Sequence, residues 1–253
     1  MLRIFLEISN SVKLLDKIEL ASRSKMRKRP IGQKVEENAS GEEETATQVC
    51  KSACLSVWDS FLLLDSQYSA QMAVCATKES SLAGMRPLMK LLEISCHGVP
   101  WILGALVLFF CSHKPSDIEV AFNMLIALLF DLVIVGALKI IFQRSRPSHN
   151  VMDMFMAPSV DKFSFPSGHA TRSAMMGLFL CIHIISNRLL IGVTCVWALS
   201  VSISRILLGR HHIFDVVCGF CIGLLSYYMF LKAWVSQETI LTYLDSYFGH
   251  VHL

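Results

Sequence analysis

Residues 118–142 read IEVAFNMLIALLFDLVIVGALKIIF, and this stretch decides the fold class. A bilayer crossing needs about 20 predominantly apolar residues, and this run supplies them. Four more apolar segments accompany it, at 94–111, 171–187, 189–204 and 213–231. Two of these, 171–187 and 189–204, are marginal by the same rule and are separated only by Asn187-Arg188. They read as two crossings joined by a very tight turn, with one long broken helix as the competing reading. Pro100, Gly98 and Gly104 fit within the first span, because membrane helices carry more Pro and Gly than soluble ones. The expectation is an all-α, polytopic membrane helical bundle of about five transmembrane helices plus an N-terminal amphipathic helix.

Composition agrees. Of 253 residues, 53% are hydrophobic and 17% charged, against roughly 45–50% and about 25% in a typical soluble domain. Mean hydropathy is +0.51. These values argue against a secreted disulfide scaffold, a disordered regulator and an ordinary cytosolic enzyme. The net charge of +3, from 23 basic and 20 acidic residues, gives no electrostatic support to a nucleic-acid partner. Most of the nine cysteines lie in apolar runs, where cysteine behaves as a small hydrophobe. The pair Cys218 and Cys221 falls inside such a run, which favours packing over zinc or redox chemistry.

The front of the chain differs. Residues 1–50 form a polar tail, and its first apolar stretch is too short and too charged for a secretory signal. Residues 21–49 carry six basic residues, then five acidic ones, and no aromatic side chain, a composition that predicts disorder. The cluster Lys25–Arg29 reads as a solvated run, with anionic lipid or targeting as alternatives. Residues 51–93 read as amphipathic interfacial helices: 54–74 is interrupted by Asp59 and Asp65, and Met85–Glu93 leads into the first span. The membrane body runs from 94 to 232 and a C-terminal tail from 233 to 253. No internal repeat is visible.

Lipid penalises charge, so ionisable groups at span ends are functional candidates. They cluster in three places. Lys139, Arg144 and Arg146 close the second span; Ser167, Gly168, His169 and Arg172 open the third; Arg205, Arg210, His211, His212 and Asp215 join the fourth to the fifth. With alternating crossings, all three stretches emerge on one membrane face. Lys139, Arg146 and Arg205 with the Ser167 hydroxyl and the Gly168 amide suit a tetrahedral oxyanion. Glycine lets backbone approach such an anion closely, and a helix start offers free amides. Two histidines permit nucleophile and general-acid roles, and Asp215 lies within helical reach of either His211 or His212. Each charge alone also reads as a snorkelling interfacial group; their joint occurrence favours the site.

Lys139-x6-Arg146-Pro147, Pro166-Ser167-Gly168-His169 and Ser204-Arg205-x5-His211-x3-Asp215 resemble the three-part signature of the type 2 phosphatidic acid phosphatase superfamily in order and spacing. The resemblance covers about residues 84–232. Within it, the stretches around Arg86–Glu93, His149–Phe155 and Ser159–Lys162 resemble the polyisoprenoid diphosphate (presqualene diphosphate) phosphatase branch.

The resemblance implies an integral-membrane phosphohydrolase with a phosphohistidine intermediate. His211 is then the nucleophile, Asp215 orients it, and His169 protonates the leaving oxygen and later activates water. Lys139, Arg146, Ser167, Gly168 and Arg205 bind phosphate. It implies no cofactor and no metal, a lipid substrate held in the bilayer, and an endoplasmic reticulum and nuclear-envelope address. With five crossings, the Lys25–Arg29 cluster and the Arg144–Arg146 loop lie on one side and put the catalytic face in the cytoplasm by the positive-inside rule; were 54–74 also a crossing, tail and catalytic face would lie on opposite sides. A broad lipid phosphate phosphatase, a non-catalytic membrane scaffold and a vanadium haloperoxidase are the competing readings; hydropathy counts against the last, since those enzymes are soluble, and intact motif histidines count against the scaffold.

Overall fold

The computed structural model describes residues 57–148, 150 and 162–248. The polar tail, its Lys25–Arg29 cluster and most of the 147–165 loop lie outside the described residues. The described residues are helical and contain no strand. In chain order the helices are α1 (Val57–Met72), α2 (Arg86–Ser95), α3 (Gly98–Cys111), α4 (Pro115–Phe142), α5 (Gly168–His183), α6 (Arg188–Leu207), α7 (Ile213–Phe230) and α8 (Gln237–Phe248).

Three of these are long and apolar enough to cross a membrane: α4, α6, and α7 with its 3-10 extension to Ala233. The pair α2–α3, bent by 42°, adds a fourth if taken as one broken span. About five crossings were expected, and two of the expected segments differ. The first is a helix of 14 residues hinged on α2. The other, α5, has 16 residues and falls short of the length of an independent span. It runs from its N-cap Ser167, whose amide donates to the Asp215 carbonyl, to His183, whose Nε2 lies 3.0 Å from the Tyr227 hydroxyl.

The sequence of α5 explains its place. Ala170, Thr171, Ser173, Ala174 and Gly177 are all buried, and small residues let helices approach closely where hydrophobic exclusion from water gives no drive. Ser173 Oγ sits 3.1 Å from the Ala198 carbonyl and 3.2 Å from Ser202 Oγ. These contacts lay α6 antiparallel along α5, so the two form a hairpin and not one broken helix. The turn occupies residues 184–187, and Asn187 caps α6 by accepting from the Leu189 amide at 2.8 Å. On the other side, a Cβ on Gly223 of α7 would lie 2.1 Å from the Thr171 carbonyl oxygen. Only glycine permits that approach. The outer faces stay apolar, with Phe110, Val133 and Leu189 exposed by 77%, 68% and 75%, as lipid contact requires.

The core at the far end joins Met124 and Leu128 of α4 to Met175, Met176 and Phe179 of α5 and Tyr227 and Phe230 of α7. Within the stretch expected as a tail, Gln237–Phe248 form α8, which packs on α4. Asn123 holds the connection: its Oδ1 accepts from the Val235 amide and its Nδ2 donates to the Val235 carbonyl, at 3.0 and 2.8 Å.

Candidate active site

The three charged stretches meet at one end of the bundle. The last turn of α4 carries Lys139, which is buried and donates from Nζ to the Phe163 carbonyl at 3.1 Å. Gln143 ends the helix in a left-handed conformation (φ 47°), its amide donating back to the Lys139 carbonyl at 2.9 Å. That stop turns the next residues across the bundle end. Arg146 donates from Nη1 to the Arg210 carbonyl at 3.1 Å, and the Ser164 amide donates to the Arg144 carbonyl at 2.7 Å.

The loop from α6 to α7 is shaped by Gly209 at φ 65°. A side chain there would cost about 1–2 kcal/mol in a left-handed conformation. The turn brings the Arg210 and His211 amides back onto the Arg205 carbonyl, at 3.0 and 3.3 Å. His211 is therefore presented from a fixed backbone, buried beside the end of α6.

The chemistry of His211 follows from one contact. Its Nδ1 lies 2.8 Å from the Ser164 carbonyl oxygen. A carbonyl only accepts, so Nδ1 carries the proton and Nε2 holds the lone pair. Burial holds the imidazole pKa well below its usual value; Arg146, Lys139 and Arg205 push the same way, against Asp215. At neutral pH His211 is thus uncharged, among cations, with a free nucleophilic nitrogen.

Asp215, expected to orient His211, places its hydrogen bonds on neighbouring groups. Its Oδ2 accepts from the His212 amide at 2.9 Å, faces His212 Nδ1 at 3.0 Å, and accepts from Ser164 Oγ. Its Oδ1 accepts from Arg144 Nη1 at 2.6 Å. The physical reason is position: Asp215 is in the first turn of α7, where it closes a capping box on His212. Ser164 is the link, giving its hydroxyl to Asp215 and its carbonyl to His211.

Several polar atoms meet no hydrogen-bond partner among the described residues: Ser167 Oγ, His169 Nε2, and Nε and Nη1 of Arg205. Ser167 is the N-cap of α5, yet its hydroxyl makes no cap bond, although N-cap serines normally spend theirs that way. Its amide donates to the Asp215 carbonyl at 3.1 Å, which ties α5 to α7. Gly168 opens α5, but a Cβ there would make only an ordinary 3.4 Å contact with Val135, so protein packing does not demand glycine. His169 lies within electrostatic reach of Arg205 and His211. Arg172 pairs instead with Asp131, at 3.1 Å.

Four charges outside the expected site complete it. Glu93 of α2, read as an interfacial residue, is buried and its Oε2 meets Nη2 of both Arg205 and Arg210, at 3.2 and 3.1 Å. Arg144, read as a snorkelling cation, is buried and bridges Asp215 to Asp65 of α1. Burial alone would lower its pKa, but Asp215 and Asp65 more than offset that and raise it. Among the described residues no group of three or more His, Cys, Asp and Glu side chains is arranged around a metal position.

An end of a helical bundle with buried cations, unpartnered donors and two histidines has relatives. The family model described as "PAP2 superfamily" matches residues 120–238. Residues 120–238 are thus similar to the PAP2 superfamily. A probable lipid phosphate phosphatase beta of Arabidopsis thaliana is 34% identical over 40% of this chain and 60% of its own. Phosphatidylglycerophosphatase B of Bacillus subtilis is 33% identical over 51% of this chain and 62% of its own. The chain thus spans about 60% of the length of these curated relatives. The crystal structure of a transmembrane PAP2-type phosphatidylglycerolphosphate phosphatase from Bacillus subtilis superposes with a TM-score of 0.51 at 25% identity, covering 69% of this chain and 86% of that one. Asp65, Glu93 and the helices that carry them precede the PAP2 match.

Proposed function

We propose that this protein is an integral-membrane phosphohydrolase acting on lipid phosphates through a phosphohistidine at His211. The observation that carries the reading is the His211 Nδ1–H bond to the Ser164 carbonyl, which leaves Nε2 free beside Lys139, Arg146 and Arg205. Nε2 attacks the terminal phosphorus and the bond from it to the leaving oxygen breaks, which is the lipid oxygen of a monophosphate or the bridging oxygen of a diphosphate, whose lipid monophosphate then leaves. His169 gives that oxygen a proton. His169 then takes a proton from water, whose oxygen displaces the imidazole, releasing inorganic phosphate and restoring His211. Lys139, Arg146, Arg205, the Ser167 hydroxyl and the Gly168 amide hold the phosphoryl oxygens as charge develops. Phosphoryl transfer needs little beyond such positioning and charge neutralisation, and this reading assigns both to the chain itself.

Polyisoprenoid mono- and diphosphates, such as farnesyl, geranylgeranyl and presqualene diphosphate, are the substrates favoured by the stretches around Arg86–Glu93 and Ser159–Lys162. Their tails remain in lipid while the head reaches the cations. A broad lipid phosphate phosphatase is the second reading, supported by the names of the curated relatives. The reading includes an endoplasmic reticulum and nuclear-envelope location with the catalytic end toward the cytoplasm, in keeping with the basic Arg144–Arg146 loop.

The test is a phosphate-release panel on purified protein, with farnesyl diphosphate, presqualene diphosphate, phosphatidate, lysophosphatidate and sphingosine phosphate, EDTA present and absent, and His211→Ala as the blank. Faster release from the isoprenoids, unaffected by EDTA, is expected. Faster release from phosphatidate selects the second reading, loss of release with EDTA contradicts charge neutralisation by the chain alone, and no release from any lipid overturns the proposal.

A further inference from the structure

The helix α1 lies outside the PAP2 match, and its exposed side is apolar: Phe61, Leu63, Leu64, Tyr68 and Met72. Its inward side carries Leu62, Asp65 and Ser69, all buried. A helix that buries a carboxylate and a hydroxyl while exposing aromatic and aliphatic groups is docked by polar contacts, and those contacts go to the machinery around His211. Asp65 divides its two oxygens. Oδ2 accepts from Arg144 Nη2 at 2.7 Å, and Oδ1 accepts from the Phe214 amide at 3.0 Å. Ser69 Oγ accepts from the Ile213 amide at 2.9 Å. The first amides of a helix have no intrahelical partner, and here α1 supplies partners for two of them directly after His211 and His212. Trp58 and Phe61 pack on Phe214, and Phe214 on Phe165, beside Ser164.

Asp65 touches neither histidine. Its effect passes through Arg144, whose other amine grips Asp215 Oδ1 at 2.6 Å, and from Asp215 through Ser164 to His211 Nδ1. Without the Asp65 carboxylate, Arg144 has one anion in place of two, which loosens the Arg144–Asp215–Ser164 chain that fixes the direction of His211 Nε2.

We infer that Asp65 is a positioning residue for His211, delivered by α1, so that this helix is part of the catalytic apparatus and not merely an interfacial anchor. The inference rests on the phosphohydrolase reading above. Asp65 has no contact with the phosphoryl site, so its loss is felt in kcat and not in KM.

The test uses the full chain in detergent and compares Asp65→Asn with Ser69→Ala. Both weaken the docking of α1; only the first removes the charge facing Arg144. Two readouts are taken: kcat and KM on the best lipid from the panel, and the rise in melting temperature caused by orthovanadate, a phosphoryl mimic that needs an aligned His211. Asp65→Asn is expected to lower kcat by about 10- to 100-fold with KM within about threefold, as misplacement near a reacting group does, and to lose at least half of the vanadate response. Ser69→Ala is expected to keep kcat within about threefold and to keep the response. Wild-type kcat in Asp65→Asn, or equal losses in the two variants, overturns the inference. If the wild-type protein releases no phosphate, the phosphohydrolase reading falls by itself, and the vanadate response still decides the role of Asp65. A wild-type protein with neither property overturns both.

Discussion

At the scale of single residues, the site depends on which nitrogen of His211 carries the proton. The Ser164 carbonyl fixes that, and burial, helped by the surrounding cations, keeps the ring uncharged. The sign is definite. An imidazole whose pKa is depressed holds its lone pair at neutral pH and loses it only as pH falls through the lower value. A carbon-NMR titration of histidine-labelled protein, assigned against His211→Gln, should therefore find His211 titrating below the ordinary 6.5, with the Nδ1–H tautomer above its midpoint. A midpoint at or above 6.5 contradicts the assignment. Arg144 makes a second prediction. It stands between two buried carboxylates, Asp65 and Asp215. Removing one partner of a buried ion pair costs about 3–5 kcal/mol, because the remaining charge is left uncompensated. Arg144→Met should lower unfolding stability in detergent on that scale, and Arg144→Lys should recover only part, since one ammonium does not reproduce a planar fork. A melting curve unchanged by Arg144→Met would contradict the bridge.

At the scale of elements, close approach between α5 and α7 holds the motifs together. Gly223 leaves no room for a Cβ against Thr171, whereas Gly192 on α6 has open space around it. Gly223→Ala should destabilise the protein by about 1–3 kcal/mol, the usual cost of overpacking. Gly192→Ala should be neutral or slightly stabilising through the unfolded chain. Urea titrations of the two variants check this, and equal effects would contradict the packing. Elements also show what was legible beforehand. The spans α4, α6 and α7 are readable because their outer faces meet lipid and stay continuously apolar. α5 is less so: it is enclosed by protein, and its small polar residues dilute its hydropathy. His211 and His169 stand out as histidines within charged stretches at span ends. Asp65 and Glu93 carry no such mark, and Arg144, though within one of those stretches, lies outside the three motifs. Their partners lie far along the chain, 79 positions for Asp65 and Arg144, and one sequence does not reveal that a charge is buried until the fold pairs it. The same gap hid the hydrogen bonds of Asp215, whose spacing allows either histidine while the helix start places it on His212.

At the scale of the whole molecule, the bundle has a polar end and an aromatic end. The polar end gathers buried charge from α1, α2, α4, α6 and α7. The opposite end is closed by aromatic contacts, with His183 stacked on Trp234 at 4.2 Å and Trp234 donating to Glu119 at 2.7 Å. This polarity predicts sidedness. In sealed vesicles, membrane-impermeant thiol labelling of Lys162→Cys, next to the site, and Ser186→Cys, in the α5–α6 turn, should occur from opposite sides. Labelling of both from one side would contradict the hairpin's passage through the bilayer.

The central claim is that His211 Nε2 makes and breaks the bond to phosphorus. Mixing the purified protein with its best lipid substrate, quenching in alkali within one turnover and mapping the phosphopeptide by mass spectrometry tests it most directly. The account predicts phosphate on His211, lost in His211→Ala and retained in His212→Ala. Phosphate on His212, or steady release with His211 changed to Ala, would contradict it.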